Sequence, residues 1–150
     1  MRVIIASDHG GFELKRLVRD HLRGKGFQVD DLGPEEAVSC DYPPFARDVC
    51  EKVLEDGEAL GVLVCGTGLG MSMSANRVHG IRAALCHNEF SARMARAHNN
   101  ANVLCLGERV LGPGIALDIL EAFLGTEFEG GRHAKRIDLI DALAETGETA

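Results

Sequence analysis

No two of the five cysteines stand in a C-x-x-C pair, and their number is odd. A zinc site or a disulfide framework is therefore not expected, and Cys40, Cys50, Cys65, Cys86 and Cys105 read as reduced thiols. No apolar run approaches the ~18 residues needed to span a bilayer, so no membrane partner is expected. Met1–Ala6 is too short for a signal peptide and reads as a first strand, which makes the cytoplasm the expected compartment. Positive charge is in deficit, and a net charge of −7 argues against a nucleic-acid surface. Repeats, low-complexity segments and linkers are also missing, so residues 1–150 read as one domain with only Thr146–Ala150 frayed. A small anionic ligand is still admissible, because Arg132-His133-Ala134-Lys135-Arg136 concentrates cations locally.

What the chain does have is a regular alternation of short apolar runs and longer amphipathic ones. Strands are predicted at Val3–Ala6, Phe27–Asp30, Gly61–Cys65, Ile81–Cys86 and Asn102–Leu106. Helices are predicted at Gly11–Arg23, Pro44–Leu54, Leu69–Arg77, Glu89–His98, Gly114–Phe123 and His133–Glu145. In the first helix Phe12, Leu14, Leu17, Val18 and Leu22 form an apolar stripe with charges between them. Strands this apolar belong in a parallel sheet covered on both faces. The expected fold is α/β, a doubly wound, Rossmann-like sheet of five parallel strands with an extra C-terminal helix.

The richest stretch is Val62–Gly70, in which an apolar run ends in Cys65 and enters a loop with glycine at every second position. Two familiar nucleotide loops do not fit. A dinucleotide fingerprint needs a glycine where Met71 stands, and a P-loop needs a Lys-Ser/Thr pair that never follows. Tight packing alone is one reading of these glycines. The other is a thiol at a strand end beside bare backbone N–H groups and a helix start, which together favour thiolate and stabilise a developing oxyanion.

Ligands in such folds bind outside the carboxyl ends of the strands. If the strand order is 2-1-3-4-5, the first and third strands are neighbours, and Asp8, His9, Cys65 and Thr67 converge. Asp8 also suits a helix N-cap, which leaves His9 unexplained. Cys86 ends a strand as Cys65 does but lacks the glycine loop, so it reads as a buried small hydrophobe. Asp41-Tyr42-Pro43-Pro44 suffices as a helix start, although Tyr42 is the only tyrosine. His98-Asn99-Asn100 reads as a helix end when taken alone. Arg132 and Arg136 lie four apart, on one helix face.

Taken in order, Ser7–Phe12, Asp41–Pro43, Cys65–Gly70, Ser74–Asn76, Gly80–Ala83, His98–Leu104 and Gly130–His133 resemble the B-type ribose-5-phosphate isomerases. The wider family includes galactose-6-phosphate and allose-6-phosphate isomerases. The resemblance covers nearly the whole chain and implies interconversion of ribose 5-phosphate and ribulose 5-phosphate, without metal or organic cofactor. It implies Cys65 as the base, where some members carry glutamate near the loop instead, and His98 as the group that opens the sugar ring. Thr67 is implied beside them in catalysis and in binding. Asp8, His9, Gly66, Gly68, Leu69, Gly70 and Asn99 match positions that hold sugar oxygens, and Tyr42 joins them as a substrate contact. Arg109, Arg132 and Arg136 match phosphate and substrate contacts.

Two other classes compete with this reading. A non-catalytic sugar-phosphate sensor would keep the arginines and His9 but need neither Cys65 nor His98. A hydrolase or thiol-transfer enzyme would use Cys65 as a nucleophile, with His98 or His9 as its base. The family also implies a homodimer, and a dimer of dimers is left open. The helix Glu89–His98 would carry His98 about 15 Å toward the amino ends of the strands. His98 is therefore expected to serve the partner's site, not its own.

Overall fold

The computed structural model describes residues 1–145, so the expectation for Thr146–Ala150 lies outside the described residues. Five strands alternate with helices along the chain. β1 (Arg2–Ser7), β2 (Gln28–Asp31), β3 (Leu60–Cys65), β4 (Ala83–Leu85) and β5 (Val103–Gly107) all run parallel. The helices are α1 (Phe12–Gly24), α2 (Tyr42–Asp56), α3 (Leu69–Ala75), α4 (Glu89–Ala97), α5 (Pro113–Leu124) and α6 (Arg132–Glu145). A short 3-10 turn, His9–Gly11, leads into α1. No helix among the described residues is long and apolar enough to cross a membrane.

Strand parity sorts the core into two layers. Val62 and Val64 of β3 face α1, α4 and α5, where Val18, Leu22, Ile119 and Phe123 pack against them. Leu63 and Cys65 face the opposite layer, formed by Val49 and Cys50 of α2 and Met71 of α3. The doubly wound sheet is thus covered on both faces, as its apolar strands require.

One expectation is corrected. The strand order is β2-β1-β3-β5-β4, so the last two strands exchange places relative to 2-1-3-4-5. Wholly buried β5 takes the inner position, and three-residue, half-buried β4 takes the edge. Short strands are how sheets end. Side chains help hold this edge in place. Asn76 Oδ1 accepts from Ala83 N at 2.8 Å, and Asn102 Oδ1 accepts from Arg82 N at 2.8 Å.

The helical stripe of α1 also differs in detail. Leu14, Val18 and Leu22 are buried, whereas Leu17 turns outward and Lys15 turns inward. Lys15 Nζ donates to Asp31 Oδ1 at 2.9 Å and to the carbonyl of Pro34 at 2.7 Å, which is how a buried ammonium is tolerated. Burial works against the Asp31 charge, but donors led by Lys15 outweigh it and hold the carboxyl below its ordinary value. A carboxyl depressed in the folded state stabilises the fold above its unfolded pKa, about 3.9, and loses that contribution as pH falls through the folded value. Urea midpoints should therefore drop as pH is lowered below about 4, and Asp31→Asn should flatten that drop.

Candidate active site

Because β1, β3 and β5 are consecutive in the sheet, the loops after their carboxyl ends lie side by side. Backbone hydrogen bonds tie them together. Asp8 N donates to the carbonyl of Val64 at 3.2 Å, Glu108 N to that of Cys65 at 2.9 Å, and Arg109 N to that of Gly66 at 3.0 Å. The exchange of β4 and β5 matters here, because it puts Arg109 beside the glycine loop. His87 and Asn88 are left at the outer edge, where Asn88 caps α4 by accepting from Ser91 N at 2.8 Å.

Cys65 is the last residue of β3 and is only 5% exposed. Its Sγ accepts a hydrogen bond from Gly68 N at 3.1 Å. Gly68 makes that bond from a left-handed conformation (φ +79°), and an added Cβ would lie 2.5 Å from Leu85 Cδ1. Both facts restrict the position to glycine. Cys86 stands one residue past the end of β4. Burial pushes Cys86 up to about 11. It also pushes Cys50 up to about 12 and Cys105 well above the ordinary value, so all three stay protonated at neutral pH.

The walls of the site come from neighbouring elements. Asp8 is buried, and its Oδ1 accepts from Gly10 N at 2.8 Å and Gly11 N at 3.1 Å. His9 is exposed, and its Nδ1 accepts from Cys40 N at 3.2 Å, which leaves Nε2 for a ligand. The Arg109 guanidinium lies against Gly66, and the Tyr42 ring lies against Gly70. Thr67 Oγ1 accepts from Leu69 N at 3.2 Å and keeps its own proton to donate. Asp41 holds the N-cap position of α2, but its side chain makes no capping bond. Glu108, just past β5, takes a task to which the sequence gives no pointer: its Oε2 accepts from Leu14 N at 2.9 Å, capping α1. Its place after the fifth strand marks it as a strand-end residue, but the bond to α1 depends on how the elements pack.

The remaining site residues gather elsewhere. His98 follows α4, and its ring stacks on that of His133 with centroids 4.2 Å apart. Exposed Arg132 and Arg136 begin α6 beside His133, and exposed Asn99 follows His98. His98 lies five residues before Val103, near the amino end of β5, whereas Cys65 pairs with Gly107 at its carboxyl end. Val103 to Gly107 alone spans about 13 Å at ~3.3 Å per residue. One chain therefore does not bring Cys65 and His98 together. The absence of metal-ligand spacing in the sequence is also qualified here, since the fold collects His98, Glu129 and His133 within 4.8 Å of one another.

A thiol, a glycine loop and a guanidinium lie where strand order reverses between β1 and β3, which marks the ligand edge of a doubly wound α/β protein. Residues 3–140 match the model of the ribose/galactose isomerase family, and the chain belongs to that family. It is 40% identical over 144 residues to the ribose-5-phosphate isomerase B of Escherichia coli, covering 96% of this chain and 97% of that protein. The solved structure of ribose-5-phosphate isomerase B from Clostridium thermocellum superposes with a TM-score of 0.95 at 49% identity, covering 99% of this chain and 100% of that one. The enzyme from Mycoplasma genitalium, solved with bound ribulose-5-phosphate, superposes at 0.92 with 46% identity, covering 99% and 97%.

Proposed function

We propose that this chain acts as a single aldose–ketose isomerase domain that interconverts ribose 5-phosphate and ribulose 5-phosphate. One observation carries the assignment beyond family membership: the Gly68 N–H aimed at Cys65 Sγ where three strand-end loops meet. A thiolate there takes the C2 proton of the open-chain aldose and returns it to C1. Electrons shift from the broken C2–H bond through an enediolate, and the oxygen protons exchange to leave the C2 ketone. Thr67 and the backbone of Gly66–Gly70 hold the oxygens on which negative charge develops. Asp8, His9 and Tyr42 line the sugar, and His98 opens the ring as acid and base. Arg109, Arg132 and Arg136 hold the phosphate and its neighbourhood, as guanidinium forks suit a dianion.

Since Cys65 and His98 are separated within a chain, the complete site takes His98, Asn99, Arg132 and Arg136 from a second copy. A two-fold homodimer supplies them reciprocally.

The reaction is tested by running it in deuterated water from ribose 5-phosphate. Ribulose 5-phosphate carrying solvent deuterium at C1 is expected, whereas unlabelled product would signify hydride transfer and overturn the proton shuttle. Rates on allose 6-phosphate and galactose 6-phosphate measure how far the pentose is preferred, and kcat/KM should be highest for ribose 5-phosphate. Arg136→Ala should raise KM for ribose 5-phosphate with kcat little changed, because a phosphate contact is made equally in ground and transition states. Steady-state kinetics separate the two parameters.

A further inference from the structure

His98, Glu129 and His133 meet from three segments: the end of α4, the loop after α5 and the first turn of α6. Glu129 Oε2 lies 3.4 Å from His133 Nε2 and 3.8 Å from His98 Nε2. The backbone builds this meeting. Glu129 N donates to the carbonyl of Ala97 at 3.0 Å, and His133 N to that of Gly130 at 3.1 Å. Gly130 and Gly131, both left-handed (φ +68° and +57°), turn the chain sharply enough to bring His133 back under His98.

Tetrahedral zinc with bonds of ~2.0–2.1 Å places its ligand atoms about 3.3 Å apart. The Glu129–His133 pair already has that spacing, and His98 closes the set from 3.8 Å to Glu129 and no more than 4.8 Å to His133. The two rings lie within 11° of parallel, so one must turn for both lone pairs to meet an ion. His98 is the one free to turn, being 39% exposed at a helix end, while His133 is buried. Two imidazoles and one carboxylate are a poor set for hard cations, which seek six or more oxygens. They suit zinc, cobalt, nickel and copper. The start of α6 and Arg132 oppose positive charge nearby, which further disfavours any cation that forms no strong bond to imidazole.

We propose that His98, Glu129 and His133 form an open, three-ligand site for a zinc-class divalent ion, and that occupancy inhibits the isomerase by engaging the His98 lone pair. Binding stands on this geometry alone, and the inhibition rests on the ring-opening role given to His98 above.

The test titrates the intact protein with Co2+, following visible ligand-field absorption, and with Zn2+ by calorimetry. Isomerase activity is measured in parallel, relative to each variant's own metal-free rate. Expected are one ion per chain without a sulfur-to-cobalt charge-transfer band, inhibition that a chelator reverses, and loss of both effects in His133→Ala. Glu129→Gln, at an exposed position, guards against a folding defect and should weaken binding and inhibition together. No binding, a thiolate band that assigns the ion to cysteines, or unchanged affinity in both variants would overturn the site. Stoichiometric binding without inhibition overturns the inhibitory device and counts against His98, while leaving the Cys65 proton shuttle untouched.

Discussion

Cys65→Ala is expected to reduce turnover by at least 10²–10⁴-fold, the usual worth of a positioned proton-transfer group. On the proposed mechanism the substitution removes the group that takes the C2 proton, and it leaves untouched the Arg109 guanidinium beside Gly66. Ribose 5-phosphate should therefore still bind the variant, which equilibrium binding can measure. Cys86→Ala is the matched control, since it also removes one sulfur, from the residue just past β4. Burial pushes the Cys86 thiol up to about 11, and its neighbours in the core include Ala92 and Ala95, so it keeps its proton at neutral pH and offers no base. Its loss should cost about 1 kcal/mol of stability through a small cavity and leave kcat within a few-fold of the parent. The reverse pattern would mean that the base stands on the wrong strand end.

Much of the fold was legible because strand and helix periodicity are local properties. All five strands and six helices occur within a few residues of where the pattern put them. The order of β4 and β5 was not legible in the same way, although a signal existed. Val103–Leu106 is uninterrupted and bulky, whereas Ile81–Cys86 carries Arg82 and two alanines, and an interior strand is buried on both faces while an edge strand is not. Lys15 escaped for a different reason. A helical wheel scores a lysine as outward, and its burial is tolerable through Asp31, sixteen residues away on β2, and the carbonyl of Pro34.

The candidate site divides along the same line. Asp8, His9, Cys65 and the glycine loop follow strand ends, so a rule about parallel sheets gathers them. Arg109 was placed by likeness to a family, and its contact with Gly66 depends on the exchanged strand order. Glu129 could not be singled out from its own neighbourhood, because nothing local tells which exposed acid will meet two histidines. The left-handed glycines that follow it do so, and their conformation is a property of the folded loop.

Mixing two inactive variants should regenerate activity. Cys65→Ala chains keep His98, and His98→Ala chains keep Cys65. In a reciprocal two-fold dimer each mixed pair assembles one site with both groups intact and one with neither. With equal amounts and random pairing, half the dimers are mixed and each carries one working site in two, so roughly a quarter of wild-type activity should return. The physical ground is the separation along β5. Cys65 pairs with Gly107 at one end of that strand, and His98 stands beyond Val103 at the other, with about 13 Å of strand between. A pentose phosphate bound at the Cys65 loop does not extend across the sheet to His98 of the same chain. Subunits are exchanged by mild denaturation and refolding, and mixed dimers are counted by mass after tagging one variant. If mixed dimers form and activity stays at the level of the parents, the two groups serve one chain's site, and the crossed-dimer arrangement is overturned.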